Sequence, residues 1–117
     1  MARKISVAST RNSDTVPYPL YTVPVKNSAL WSLLFIASTE GSVDVSASWY
    51  DASTGETYPI VGAKNLSKDD TIMFNQAEVV LQEGDIIYVK NTSTSYDATF
   101  IVTLELVPNQ ATQFHGG

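Results

Sequence analysis

Apolar and polar residues alternate along two segments of the chain. In residues 97–107, every second residue from Phe100 to Leu106 is apolar, and threonine and glutamate fill most of the places between them. Residues 43–50 alternate in the same way. Because successive side chains of a strand point to opposite faces, this period of two predicts antiparallel strands with one buried face.

Shorter apolar runs between turn residues predict further strands. These runs are residues 21–23, 57–61, 71–74, 79–81 and 86–89. Residues 29–38 are too densely apolar to alternate, and a helix competes there, but Trp31, Phe35 and Ile36 favour a central strand covered on both faces. About eight short strands with Gly, Pro and Asn punctuation predict an all-β fold, an antiparallel β-sandwich of the jelly-roll kind.

The length and composition predict one domain. The chain has 117 residues, of which 44% are hydrophobic and 16% charged, which suffices for one packed core. We expect the sandwich over residues 20–108. Residues 1–19 are expected to form an extended N-terminal arm, because Pro17 and Pro19 lack ladder donors. Residues 109–117 are expected to form a polar C-terminal tail.

Charge is unevenly spread along the chain. The net charge is −5, yet residues 1–27 carry four basic residues against one acidic residue, and residues 28–117 carry three against eleven. An acidic body repels phosphate, which argues against a nucleic acid partner. The longest apolar run, 33–37, is far below the roughly 20 residues of a membrane helix, so no membrane partner and no export are expected.

Groups that carry chemistry are sparse. The chain has no cysteine, and its single histidine, His115, lies two residues from the end, a poor place to hold a catalytic imidazole. Asp69 and Asp70 are expected to be surface charges, and Glu83 and Asp85 to be turn residues around Gly84. We therefore predict no enzyme, and no catalytic, cofactor-binding or metal-binding residues.

The six tyrosines leave one alternative open. Amphipathic rings suit both carbohydrate binding and protein interfaces. Tyr50 and Tyr88 lie on the more polar faces of their predicted strands, where they form either ordinary sheet surface or an interface. A carbohydrate-binding sandwich module is therefore the alternative to a structural role.

The order of four motifs resembles a family of small tailed-bacteriophage virion proteins. The motifs are YTVP at 21–24, WSLLFIAST at 31–39, the alternating residues 43–50, and LQEGDIIYV at 81–89, followed by the apolar–Glu–apolar step at 104–106. The resemblance covers roughly residues 20–107. The chain departs from it at Val25 and Lys26, where the family pattern has a small residue and a glycine.

This resemblance implies a structural role on a phage particle. It implies a capsid decoration, or cement, protein located in the virion, whose partners are the major capsid protein or other virion subunits, and which forms a homo-oligomer. A neck, tail or fibre component is the alternative within the same family. Arg3, Lys4 and Arg11 are the predicted electrostatic contacts with an acidic neighbour, and Tyr18 is the predicted apolar anchor.

Overall fold

The computed structural model describes residues 3–74 and 79–109. Within those ranges the chain forms nine β-strands. They are β1 (Arg3–Arg11), β2 (Tyr18–Thr22), β3 (Asn27–Ser38), β4 (Val43–Asp51), β5 (Glu56–Leu66), β6 (Thr71–Phe74), β7 (Val79–Leu81), β8 (Ile86–Asn91) and β9 (Ala98–Pro108).

The strands form two antiparallel sheets that pack as a sandwich. The first sheet has the order β1-β9-β3-β6, and β7 pairs with β3 beside β6. The second sheet has the order β2-β8-β4-β5. Successive strands cross repeatedly between the sheets, and the predicted jelly-roll-like sandwich is confirmed.

The core lies between the inward faces of the two sheets. Phe100, Val102 and Leu104 of β9 are fully buried, as their alternation predicts, and they meet Val45 and Ile87 among the buried residues of the second sheet. Trp31, Leu34 and Ile36 of β3 complete the centre of this cluster. Burial of these large apolar side chains is the main force that holds the sheets together.

Strand β3 is central in its sheet, but it is covered on one face only. Its pairing with β9 shifts register between Trp31 and Leu33, so Ser32 is an extra residue and the alternation restarts after it. As a result Trp31 and Leu34 both point into the core, whereas Leu33 and Phe35 are half-exposed on the outward side. The dense apolar run therefore reflects a bulge with an apolar outward face, and the expectation of cover on both faces was wrong.

The expected N-terminal arm is instead part of the sandwich in its described residues. Strand β1 pairs with β9 over nine consecutive positions, from Arg3 opposite Leu106 to Arg11 opposite Ala98. Ile5 and Val7 pack against the core from this strand. Hydroxyl side chains strengthen the pairing, since Ser6 Oγ lies 2.9 Å from Thr103 Oγ1. Deleting residues 1–16 would therefore strip a strand from β9.

Two strands of the second sheet are also longer than expected. Pro19 lies inside β2, opposite Tyr88, because β2 is an edge strand whose outer side needs no donor. Strand β5 continues past the expected end at residue 61 to Leu66, whose side chain is buried. His115 and nearly all of the expected tail lie outside the described residues.

Candidate assembly surfaces

Arg11 and Tyr18, two of the predicted contact residues, bind each other. The guanidinium carbon of Arg11 lies 3.9 Å from the centre of the Tyr18 ring. The same guanidinium donates to Asp14 Oδ1 across 2.7 Å. Burial by itself raises the pKa of Asp14, but hydrogen bonds from Arg11 and the Asn91 backbone outweigh it and hold that pKa below its usual value. Arg11 therefore stabilises the β1–β2 corner.

Asn91 anchors that corner to the rest of the sandwich. Its side chain is fully buried at the end of β8 and donates to the carbonyl oxygens of Arg11 and Tyr96, at 2.9 and 3.0 Å. Its Oδ1 accepts from the backbone N–H groups of Asp44 and Ser93. One amide thus satisfies four backbone groups, from the end of β1, the start of β4 and the loop between β8 and β9, which fixes their relative positions.

Arg3 and Lys4 lie at the other end of β1 and point to opposite sides of the sheet. Arg3 shares the side of Ile5 and lies close to Tyr21: burial raises the pKa of the Tyr21 phenol, and the positive charge of Arg3 acts in the opposite sense. Lys4 points outward and pairs in register with Glu105. Both side chains are exposed. The four predicted contact residues therefore do not form one patch.

The acidic residues mostly organise turns. Asp85 is buried and accepts three hydrogen bonds: from Trp49 Nε1 at 3.1 Å, and from the backbone N–H groups of Ala52 and Gln82 at 2.9 Å each. Glu83 accepts from the backbone N–H of Lys26. The predicted turn role of Glu83 and Asp85 is confirmed, but β7 and β8 belong to different sheets, so the turn connects the two sheets and Asp85 ties it to β4.

Asp69 and Asp70 form the turn before β6. Asp70 Oδ2 accepts from the Ser67 N–H at 3.0 Å, and Asp69 has a positive φ of 67°. In the described ranges, no three His, Cys, Asp or Glu side chains converge where a metal ion would bind. Across the same residues, no helix is long and apolar enough to span a membrane.

The tyrosines are dispersed over the molecule. Tyr18 and Tyr21 pack against the core from β2, and the ring of Tyr58 lies 5.4 Å from that of Trp49. Tyr50 and Tyr88 share the outward face of the second sheet, where they are diagonal neighbours on β4 and β8. Two half-buried rings on one face are far short of a six-tyrosine platform for sugar.

The edges of the two sheets differ in how they are protected. Strand β2 has five residues, a proline and a register shift, and β5 contains Pro59 and two register shifts. Strands β6 and β7 have four and three residues. Proline, bulges and short length all hinder pairing with another chain.

Strand β1 has none of these features. It runs for nine residues without proline, and its ladder to β9 has no irregularity. Its other side is an end of the first sheet, so its outer N–H and C=O groups meet no strand in the described chain. A long, regular edge of this kind is a template for an added strand.

The outward side of the first sheet is the second candidate surface, which we call the apolar face. At its centre, Ala8, Ile101, Phe35 and Met73 form one row across β1, β9, β3 and β6. Leu33 and Leu30 follow along β3, and Val80 lies beside Leu30. Met73 is 58% exposed and Val80 is 54% exposed. Contiguous apolar surface of this kind marks an interaction site.

Charge is almost absent from the apolar face. Among the described residues, Lys4 and Glu105 are its charged side chains, and they lie side by side near one end. Small hydroxyl residues fill many of the remaining positions, among them Ser6, Thr10, Thr71, Thr99 and Thr103, and Ala37 and Val107 add to the apolar area. The outward face of the second sheet, by contrast, carries Asp44 and Lys90 on its central strands. The two outward faces are therefore chemically different.

An apolar cleft lies beside this surface, between the edges of the two sheets. Its volume is about 280 Å³. It is lined by Trp31, Ser32, Leu33, Leu34, Pro59, Ile60, Phe74 and Val79. Seven of these eight residues are apolar, so the cleft extends the apolar surface around the edge of β3.

Sequence reasoning located the charged residues of β1 but missed both surfaces. The open edge depends on which strands lie next to one another, and the apolar face depends on the bulge at Ser32 and on register across four strands. One signal was present: alternating hydroxyl residues occur in both β1 and β9, where they now face each other. The dense apolar run of β3 was a second signal, and it pointed to the apolar face.

Comparison with known proteins supports the fold. No protein-family model matches the chain, and no curated protein matches it in sequence. Its fold is similar to that of a Bacillus endospore appendage protein, described as forming disulfide-linked pili, with a TM-score of 0.55 and 13% identity over 93% of this chain and 88% of the other. It is also similar to a protein of infectious bursal disease virus Gx strain, with a TM-score of 0.50 and 10% identity over 99% of this chain. This chain spans 35% of that viral protein.

Proposed function

We propose that the chain is a non-enzymatic structural subunit of a tailed-phage virion, a capsid decoration protein that bridges neighbouring capsid subunits. The observation that carries the proposal is the open edge of β1. A strand from an acidic virion subunit would add to this edge, with main-chain hydrogen bonds for affinity and the basic residues Arg3 and Lys4 for orientation.

The motif order over residues 20–107 supports the phage assignment. The pilus and viral proteins of similar fold are themselves parts of assemblies by their descriptions, which agrees with a structural role. The described residues add a rigid block whose corners are fixed by Asn91 and Asp85. Rigidity suits a subunit that holds its neighbours at a set spacing.

The structure changes which of the predicted residues we assign to docking. Arg11 already binds Asp14 and Tyr18, so its replacement would disturb the β1–β2 corner as well as any contact with a virion subunit. Arg3 and Lys4 are exposed and suit a clean test. We therefore assign the electrostatic contact to these two residues.

The test is incorporation into particles. We expect the double variant Arg3→Glu with Lys4→Glu to lose most of its occupancy on purified particles. The double variant Lys64→Glu with Lys68→Glu is the matched control, because both residues are exposed and the net charge changes equally. Equal occupancy of both variants would contradict docking through β1.

A second experiment separates decoration from the neck, tail and fibre alternatives. Particles that lack a cement protein should assemble normally but release their DNA at a lower temperature. Particles that keep intact shells at all temperatures tested, yet lose infectivity, would instead indicate a neck, tail or fibre position.

A further inference from the structure

The outward side of the first sheet has no partner among the described residues, although most of its side chains are apolar or small, as in a protein core. Its central row, Ala8–Ile101–Phe35–Met73, is apolar on all four strands. Phe35 and Ile101 are already half-buried by their neighbours. Two hydroxyl pairs beside them lie within hydrogen-bond distance, Ser6 with Thr103 at 2.9 Å and Thr10 with Thr99 at 3.5 Å, so part of the hydrogen-bonding capacity of this surface is satisfied within the sheet.

We propose that the apolar face binds a second copy of this chain. The inference rests on the proposed role as an assembling structural subunit, and it adds the partner and the surface. Two copies of a chain with a net charge of −5 repel each other, so they can meet only where acidic residues are few. The apolar face meets this condition, since Glu105 is its acidic residue among those described and Lys4 lies beside it.

The central row is complementary to itself. A two-fold axis parallel to the strands, between β9 and β3, places Ile101 over Phe35 of the second copy. The same axis places small Ala8 over long Met73, so that large and small side chains interdigitate across the contact. Lys4 and Glu105 lie near one end of the strands, where they stay at the rim in contact with water.

The size of the face is sufficient for a specific contact. Four strand positions about 4.8 Å apart, the fourth shared by β6 and β7, with about eight residues each rising about 3.3 Å, have a footprint of roughly 500 Å². Two copies together would bury about 1,000 Å², which is the lower bound for a biological interface. The sheets of the two copies would pack about 10 Å apart, as the two sheets within a sandwich do.

Sedimentation of the purified chain tests the inference without any phage particle. We expect the wild-type chain to sediment as a dimer and Phe35→Glu to sediment as a monomer. Circular dichroism of Phe35→Glu should show that this monomer is folded. Tyr88→Glu is the matched control on the outward face of the second sheet and should remain dimeric. A monomeric wild-type chain, or a dimer that survives Phe35→Glu, would overturn the proposal.

Cross-linking provides a readout that does not depend on the stability of Phe35→Glu. The chain has no cysteine, so Ile101→Cys introduces a single thiol. The two-fold arrangement brings the two thiols within reach of a short bismaleimide, and we expect covalent dimers. Ser48→Cys, on the outward face of the second sheet, should give none. Dimers from Ser48→Cys and none from Ile101→Cys would overturn the proposal.

The two proposals fail in different experiments. If the purified chain dimerises through the apolar face but is absent from particles, the proposed function fails and the dimer contact stands. If the chain occupies particles through β1 but sediments as a monomer, the dimer contact fails and the structural role stands.

Discussion

The indole N–H of Trp49 donates to the carboxylate of Asp85 across 3.1 Å. This bond joins β4 of the second sheet to the turn between β7 and β8, which carries the chain from the first sheet to the second, and Asp85 is only 1% exposed there. Two backbone N–H groups, from Gln82 and Ala52, converge on the same carboxylate. The turn between β7 and β8 thus depends on one buried acceptor.

Replacement of Asp85 should be strongly destabilising. In Asp85→Ala three donors lose a charged acceptor, and a hydrogen bond to a charged group contributes about 1.5–3 kcal/mol, so we expect the free energy of unfolding to fall by about 3 kcal/mol or more. The free energy of unfolding of Asp85→Asn should lie between the values for Asp85→Ala and the wild type. Urea denaturation measures the difference.

Asp69→Asn is the control for this prediction, because it removes the same charge from an exposed turn residue. We expect its stability to stay within about 0.5 kcal/mol of the wild type. If Asp85→Ala were as stable as Asp69→Asn, the buried carboxylate would not hold the turn between β7 and β8.

Asp14 should make stability depend on pH in the acid range. Its pKa in the folded chain lies below its usual value, because the hydrogen bonds from Arg11 and Asn91 outweigh the effect of burial. The unfolded chain then binds the proton more readily, so the stabilisation is fully present above about pH 4 and is lost as the pH falls through the folded pKa.

A comparison with Asp14→Asn isolates this contribution, because the other carboxylates are common to both proteins. We expect the stability difference between wild type and variant to be constant from about pH 7 to pH 5 and to shrink below about pH 4. A difference that stays flat down to about pH 2 would show that the Arg11–Asp14 pair does not stabilise the fold.

The fully buried amide of Asn91 should tolerate no substitution. Asn91→Asp replaces two donors with an acceptor that faces the carbonyl oxygens of Arg11 and Tyr96. We expect a loss of about 3 kcal/mol or more at neutral pH from a buried, poorly paired charge. The loss should ease at acid pH, as the new carboxyl protonates. Thermal denaturation at both pH values measures it, and a loss below about 1 kcal/mol would contradict the anchoring role.

Lys26 occupies a strained position that glycine would relieve. Its φ is 66°, and the turn is closed by the Asn27 N–H donating to the Pro24 carbonyl across 3.2 Å. Non-glycine residues pay roughly 1–2 kcal/mol in this conformation, so Lys26→Gly should raise the free energy of unfolding by up to about 1 kcal/mol after the entropy cost of glycine. This is also the position at which the phage-protein pattern has its glycine.

Lys68→Gly is the opposite control for Lys26, because Lys68 is not among the residues with positive φ. Glycine there only adds freedom to the unfolded chain, and we expect it to destabilise by about 0.4–1 kcal/mol. If both glycine variants changed stability in the same direction, strain at Lys26 would not explain the effect.

The sequence predicts local features of this fold better than its long-range ones. Alternation around Phe100 is decided by one strand's own residues, and the turn at Gly84, with a positive φ of 85°, is decided by its neighbours. The pairing of β1 with β9 joins residues nearly a hundred positions apart, as in Ser6 with Thr103. No local pattern specifies such a pair, which is why β1 was expected to be an arm.

The same reasoning explains the candidate surfaces. Arg11 looked available because its charge is visible in the sequence, whereas its partner Asp14 and the Tyr18 ring meet it only after the corner folds. The apolar face arises because Ser32 shifts the register of β3 and turns Leu33 and Phe35 outward. Composition shows which residues are apolar, and only register shows which side they occupy.

The most direct test of the proposed function is the copy number of the chain in purified particles of the tailed phage to which the proposal assigns it. Quantitative mass spectrometry against the major capsid protein gives this number. A decoration protein should be present at a stoichiometry that matches the repeated sites of the shell. A handful of copies per particle would place the chain at the neck, tail or fibres, and its absence from particles would contradict the structural role.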